Sequence, residues 1–492
     1  MHKTIRQTEP TQLWNHFIDL NAIPRPSKKE ERIVEFMVQF GKNLDLETKV
    51  DAIQNVLIKK PATVGFENRK TVVLQSHLDM VHQKNDATEF DFETEGIQME
   101  IKQGWIHAKG TTLGADNGIG VAAIMSILSS TTIEHPAIEA LFTIDEETGM
   151  TGAMELQPGF LSGDILLNLD TEDDDEISIG CAGGIDITSR TNYKETLVKP
   201  NSQAFKITVN RLNGGHSGMD IHKGFGNTNK ILNRILVHLN KQLEFSLVSF
   251  NAGNLRNAIP REGSADITIK KTDNLNLEKG ITIISSLLKQ EFKVQEPNLN
   301  ISVVKINTPD KSMNFEFQQT FLKSISAVHN GVFSMNSKIP ELVETSNNLA
   351  KILVKNGSLE IACLTRSFSV SGKIDLVNSI RSVFELANFD VSISGDYPGW
   401  EPNPNTEICD LLDKTYQELF NEKPNIMACH AGLECGILGT HYPKMEMISF
   451  GPTIRGAHSP DEKVNIQSTQ KFWKYFLEIL KRIPLKQKKS RL

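Results

Sequence analysis

Val72-Val73-Leu74-Gln75-Ser76-His77-Leu78-Asp79 is a short apolar run that ends in a histidine and an acid two positions apart. A run of this length, rich in Val and Leu, reads as a buried strand. Open α/β sheets bind ligands outside the carboxyl ends of their strands, so His77 and Asp79 fall where chemistry is expected. The pattern recurs downstream. Ala137 to Ile144 is followed by Asp145-Glu146-Glu147-Thr148-Gly149, and Ile165-Leu166-Leu167-Asn168-Leu169 is followed by Asp170.

Between His77 and Asp145, the Gly-rich segment Leu113-Gly114-Ala115-Asp116-Asn117-Gly118 precedes a helix expected from about Gly118 to Leu128. Gly456-Ala457-His458-Ser459-Pro460 adds a last histidine near the end of the chain. Strand, helix and strand in this order predict an α/β domain with a mostly parallel central sheet flanked by helices.

Outward from this core, Leu13, Trp14, Phe17 and Leu20 share one face of a helix opening near Thr11, which Pro24 and Pro26 end. Ser27 with Glu30 three positions on reads as a capping box for a second helix carrying Ile33, Phe36, Met37 and Phe40. The texture changes after about residue 185. Strand-like Phe205 to Val209 and helical Asn227 to Lys241 begin a block with its own alternation, and the Gly- and Pro-containing stretch Ser394 to Pro404 reads as a return linker. The expected organisation is therefore a catalytic domain in two parts, 1–185 and 395–492, with an inserted α+β lid domain over 186–394.

A chain of 492 residues exceeds what one core supports, and 39% hydrophobic with 23% charged residues is ordinary globular composition. A formal net charge of -7 gives no reason to expect nucleic acid or an anionic membrane as partner. The first 25 residues lack a signal-type apolar run, and no segment has the length to span a bilayer. The five cysteines contain no Cys-x-x-Cys pair and read as reduced thiols, which points to a cytoplasmic location. The basic end from Lys486 to Arg491 is expected to be solvated.

Imidazoles and carboxylates converging at strand ends would suit zinc, or manganese or cobalt in its place. Taken singly, each motif also fits a plain structural role: a turn at His77, a loop residue at Asp116, a solvated helix start at Glu146 and Glu147, a solvated acidic run at Asp170, a loop histidine at His458. The Gly-rich segments Leu113 to Gly120 and Gly180 to Gly184 lack a Walker lysine and a complete dinucleotide fingerprint, which excludes a nucleotide site of those kinds.

Together, Ser76-His77-Leu78-Asp79-Met80-Val81, Thr112 to Gly118, Asp145 to Gly149, Leu169-Asp170, Gly214-Gly215-His216-Ser217-Gly218 and Gly456 to Glu462 resemble the two-zinc metallopeptidase family that includes aminoacylase, carnosinase and tripeptide aminopeptidase. Within it they are most similar to the Xaa-His dipeptidase subfamily. The resemblance implies two zinc ions per chain. His77 and Asp170 would bind one, Glu147 and His458 the other, and Asp116 would bridge. Asp79 would orient His77, Glu146 would be the general base, and His216 would polarise the oxyanion. Asn257, Arg366 and Glu434 would meet the substrate, Arg366 at its carboxylate. The implied partner is a small peptide, including carnosine-like Xaa-His dipeptides, and a homodimer is implied by shorter-lidded relatives. An aminoacylase or other amide hydrolase, a tripeptide aminopeptidase, and a binding protein that has lost its chemistry remain alternatives. The last is disfavoured because Glu146 and the ligand set are all present.

Overall fold

A computed structural model describes residues 2–85 and 87–486, so the basic end from 487 onward lies outside the described residues. The described residues divide into two compact units: those within 1–181, 400–428 and 433–492 form the first, and 182–399 with 429–432 form the second. The sequence placed the breaks at 185/186 and 394/395. They move because Gly183–Asn192 is one continuous strand, and Asp390–Tyr397 pairs with it instead of serving as a linker.

The first unit is built on an eight-stranded sheet. Its middle is parallel: Ile138–Thr143, Val72–His77, Ile165–Asn168 and Glu446–Ser449 lie side by side in that order. Each of the first three is buried along its whole length, as strands covered on both faces must be. Antiparallel neighbours extend the sheet, with Val56–Lys60 beside Ile138–Thr143 and Glu176–Cys181 beside Glu446–Ser449. The strand Glu446–Ser449 comes from the last tenth of the chain yet sits inside the sheet, not at its rim. Behind it, Phe450 meets Phe472, Tyr475 and Phe476 of the final helix, Ile466–Arg482.

After a short helix at His2–Ile5, the first long helix runs Thr11–Asn21 with Leu13, Trp14, Phe17 and Leu20 buried, as their spacing requires. The capping box does not form. The next helix is Glu31–Asn43, and its N-cap makes no side-chain hydrogen bond. The Ser27 hydroxyl instead donates to Asp79 Oδ2 at 2.8 Å, and Glu30 Oε1 accepts from the N–H of Asp145 at 3.2 Å. Residues that look like a helix cap thus brace the strand ends.

The second unit carries a nine-stranded antiparallel sheet. Its apolar core joins Ile187, Ile207, Phe250, Ile267 and Ile361 of the sheet to Leu232 and Ile235 of Thr228–Asn240, Phe321 of Phe315–Ala327 and Ile380 of Val370–Leu386. The five cysteines form no disulfide. No helix of the described residues is long and apolar enough to cross a membrane.

The helix Ala115–Ser129 lies close against the central strands at Gly120. A Cβ there would stand 2.5 Å from Ser76 Oγ and 2.8 Å from the Leu169 carbonyl oxygen. Gly120→Ala must therefore push the helix off the sheet. The expected cost is about 1–3 kcal/mol, the usual range for overpacking. It should be read as a lower urea midpoint with an unchanged m-value.

Candidate metal centre

The carboxyl ends of the parallel strands bring five side chains of the first unit together. His77 closes Val72–His77, Glu147 lies in the short turn of helix after Ile138–Thr143, and Asp170 follows Ile165–Asn168. Asp116 stands at the start of Ala115–Ser129, where it and Asn117 depart from helical geometry. His458 sits in a turn with φ +63°, late in the chain.

Asp116 is the shared member. Its Oδ1 lies 3.1 Å from His77 Nε2, and its Oδ2 lies 3.1 Å from His458 Nε2. On the outer sides, Asp170 Oδ1 is 3.6 Å from His77 Nε2, and Glu147 Oε2 is 3.0 Å from His458 Nε2. The donors form two groups with Asp116 common to both, His77–Asp116–Asp170 and Asp116–Glu147–His458, each with ligand atoms within 4.8 Å of one another. Asn117 also donates through its side-chain amide to Asp170 Oδ1.

Asp79 is fully buried and ties two of these elements together. Its Oδ1 faces His77 Nδ1 at 3.3 Å and accepts the N–H of Glu146 at 3.0 Å. Its Oδ2 accepts the N–H of Glu147 at 3.3 Å. The imidazole is held from behind, which leaves Nε2 directed at Asp116.

The charges interact strongly. Burial disfavours the His77 cation, but Asp170, Asp116 and Asp79 outweigh it and raise its pKa well above the ordinary value. Asp116 is held well below the carboxylate range: burial opposes this, and hydrogen bonds from His458 and His77 prevail. Burial, reinforced by Glu147, Asp170 and Glu434, raises Glu146 well above its usual value. Burial and the nearby Asp116 bring Glu147 up to about 7.

Glu434 opens the helix Glu434–His441 and is fully buried. Its Oε2 accepts from Gln75 Nε2 at 2.6 Å and Thr143 Oγ1 at 2.7 Å, while its Oε1 is buried with no hydrogen-bond partner.

The other expected residues belong to the second unit. His216 Nδ1 accepts the N–H groups of Gly218 at 3.2 Å and Met219 at 3.0 Å. In the neutral ring this places the proton on Nε2, a hydrogen-bond donor. The Asn257 carbonyl accepts from the Ser217 N–H at 2.7 Å, which seats Asn257-Ala258-Ile259-Pro260 beside the histidine turn. Arg366 is 4% exposed; its Nη1 donates to the Tyr397 hydroxyl at 2.9 Å, and its Nε has no hydrogen-bond partner. A Cβ at Gly218 would come within 3.1 Å of Arg366 Cδ and overlap the His430 carbonyl oxygen, so the turn packs tightly on both residues.

The sequence reading missed several residues that brace the centre. Arg25 is buried and donates to the carbonyls of Leu78 at 2.9 Å, Asp79 at 3.0 Å and Gly114 at 2.6 Å. Glu462 accepts four successive backbone N–H groups, Leu113 to Asp116. The signal for Glu462 was its place four residues after His458; a single arginine between prolines gave none for Arg25.

Residues 73–482 match the peptidase family M20/M25/M40. The chain belongs to that family. As an M20 member it is a peptide hydrolase. It is 42% identical over 482 residues to the cytosol non-specific dipeptidase of Escherichia coli K12, covering 98% of this chain and 99% of that protein. It is similar at 42% identity and a TM-score of 0.87 to the crystal structure of aminoacylhistidine dipeptidase from Vibrio alginolyticus, covering 98% of this chain and 99% of the other. A Staphylococcus aureus tripeptidase of the same fold aligns at 16% identity and a TM-score of 0.56, covering 97% of this chain and 99% of that one.

Within the second unit, burial pushes His430 down to about 3, assisted by Arg366, His216 and His222. Its ring is neutral in the fold and takes up a proton on unfolding, so the stability present above about 6.5 is lost as pH falls from there towards about 3. His430→Asn is expected to flatten the fall of the urea midpoint over that window, compared with the wild type measured alongside.

Proposed function

We propose that this M20 member is a two-zinc dipeptidase that hydrolyses unblocked dipeptides, Xaa-His among them, with Glu146 as general base. The observation that carries the reading is the Asp116 carboxylate, with one oxygen towards His77 and the other towards His458. The names of the two 42% identical relatives, both dipeptidases, support the substrate class.

The donor set suits the cations. Imidazole nitrogen and carboxylate oxygen are zinc ligands, and five side chains with one shared carboxylate would offer each ion three protein ligands. Glu147 adds a buried Oε1 with no hydrogen-bond partner. His77 and Asp170 would hold one ion, Glu147 and His458 the other, and Asp116 both. When bound, such a pair supplies Lewis acidity to a water and to the peptide carbonyl.

The chain's residues perform the proton chemistry. Glu146 takes a proton from the attacking water on a carboxylate oxygen as the C–O bond forms. It delivers that proton to the leaving nitrogen as the C–N bond breaks. Its burial suits it to hold a proton between these steps. Asp79 keeps the His77 ring oriented through Nδ1. His216 is assigned the oxyanion donor, since its Nδ1 is occupied by backbone N–H groups and Nε2 carries the hydrogen. Arg366 would pair with the substrate carboxylate as a planar fork. Asn257 would lie beside the substrate, and Glu434 would receive its ammonium.

Glu146→Gln is expected to retain two zinc ions and lose about 10²–10⁴ in kcat, whereas His77→Ala should lose metal. Metal analysis with single-substrate kinetics reads both, and normal turnover by Glu146→Gln would refute the assignment of the base. A panel of ordinary dipeptides, Xaa-His dipeptides and N-acyl amino acids, run before and after chelation, tests the substrate class. Preference for the N-acyl compounds would replace dipeptidase by aminoacylase.

A further inference from the structure

The loop that carries Asp116 is gripped from two sides by buried, oppositely charged side chains. On one side, Glu462 Oε2 accepts the N–H groups of Leu113 at 2.7 Å and Gly114 at 3.0 Å, and Oε1 accepts those of Ala115 at 2.7 Å and Asp116 at 3.3 Å. On the other, Arg25 Nη2 donates to the Gly114 carbonyl at 2.6 Å while Nη1 donates to the carbonyls of Leu78 and Asp79. Both side chains are 2% exposed. Gly114 is thus held through its N–H by Glu462 and through its carbonyl by Arg25. No side chain fits at Gly114: its φ is +68°, and a Cβ would stand 2.5 Å from Arg25 Nη2 and 2.8 Å from Met80 Sδ.

Each grip also reaches a different half of the donor set. Glu462 lies in the turn that bears His458, and its own N–H closes that turn on the Ser459 carbonyl at 3.0 Å. Arg25 holds the residues that follow His77. We propose that Glu462 is a positioning residue: it fixes the Asp116 loop to the His458 turn, with Arg25 fixing the same loop to the His77 turn, so that one carboxylate can serve two cations. This rests on the reading of Asp116, His77 and His458 as metal ligands and adds to it what sets their spacing.

The chemistry requires a carboxylate. Four N–H donors converge on two oxygens, which an ionised carboxylate accepts with all its lone pairs. A glutamine keeps one acceptor oxygen and turns its NH₂ towards two of the four donors. Outer partners of metal ligands are worth about 10–100-fold in metal affinity.

The test is zinc binding to the metal-stripped full chain, followed by calorimetry and by competition with a chelator, with the melting curve of the stripped protein recorded alongside. Glu462→Gln is expected to weaken zinc affinity by about 10–100-fold while the stripped protein melts as a folded chain. Glu462→Asp, which restores both acceptor oxygens, should recover part of that loss. Arg25→Lys keeps the charge but cannot fork to three carbonyls, and is expected to weaken zinc in the same sense. Wild-type affinity in Glu462→Gln overturns the proposal. Should Glu462→Gln not fold, Glu462→Asp decides: reduced affinity in a folded chain supports the role, and wild-type affinity overturns it. A wild-type chain that binds no zinc would instead sink the ligand assignment on which the proposal rests.

Discussion

The carboxylate of Asp116 faces two imidazoles at once, and much of the first unit is arranged around that contact. Acids gathered in a buried volume repel one another, and a fold can hold them only by supplying cations and N–H donors. Here Arg25 supplies charge, the His77 and His458 rings stand against Asp116, and backbone N–H groups aimed at Asp79 and Glu462 supply the rest. Burial draws Arg25 down only to about 10, so it stays cationic near neutrality. Where the compensation stops short, burial prevails: it raises both Glu146 and Glu434, the latter to about 7.

The parallel sheet explains why distant residues meet. Each strand of its middle ends at the same edge, and the register of Val72–His77 with Ile138–Thr143 sets His77 opposite Thr143, two residues before Asp145 and its neighbouring acids. The sheet interior is itself polar beneath that edge. Asn168 donates to Gln75 Oε1 at 2.6 Å, and Gln75 donates in turn to Glu434. Such networks require every member to be satisfied, and the unpartnered Glu434 Oε1 marks where this one opens.

The fold class and the strand edges were legible because short apolar runs carry a strong signal and their terminal acids stood out against it. The division of the chain was legible only roughly. Gly and Pro near Ser394 suggested a linker, but Ser394 pairs with Asp186 across the sheet, and pairing overrides local composition. Ser27 and Glu30 matched a capping pattern in sequence, yet their side chains are used by Asp79 and Asp145. Local signals cannot reveal such competition, because the winning partner is about 50 to 115 residues away. Arg25 was illegible for the same reason: its role is set by three carbonyls that only the folded chain assembles.

The strand Glu446–Ser449 has a further consequence for how the molecule is made. A ribosome emits the chain from its first residue, so the neighbours Ile165–Asn168 and Glu176–Cys181 emerge long before the strand that lies between them. Until then the nascent sheet presents an unfilled slot with unpaired backbone groups, the kind of edge that invites aggregation. The second unit has no such dependence on the final segment beyond residues 429–432. The sheet of the first unit is therefore completed only by a strand that is synthesised late.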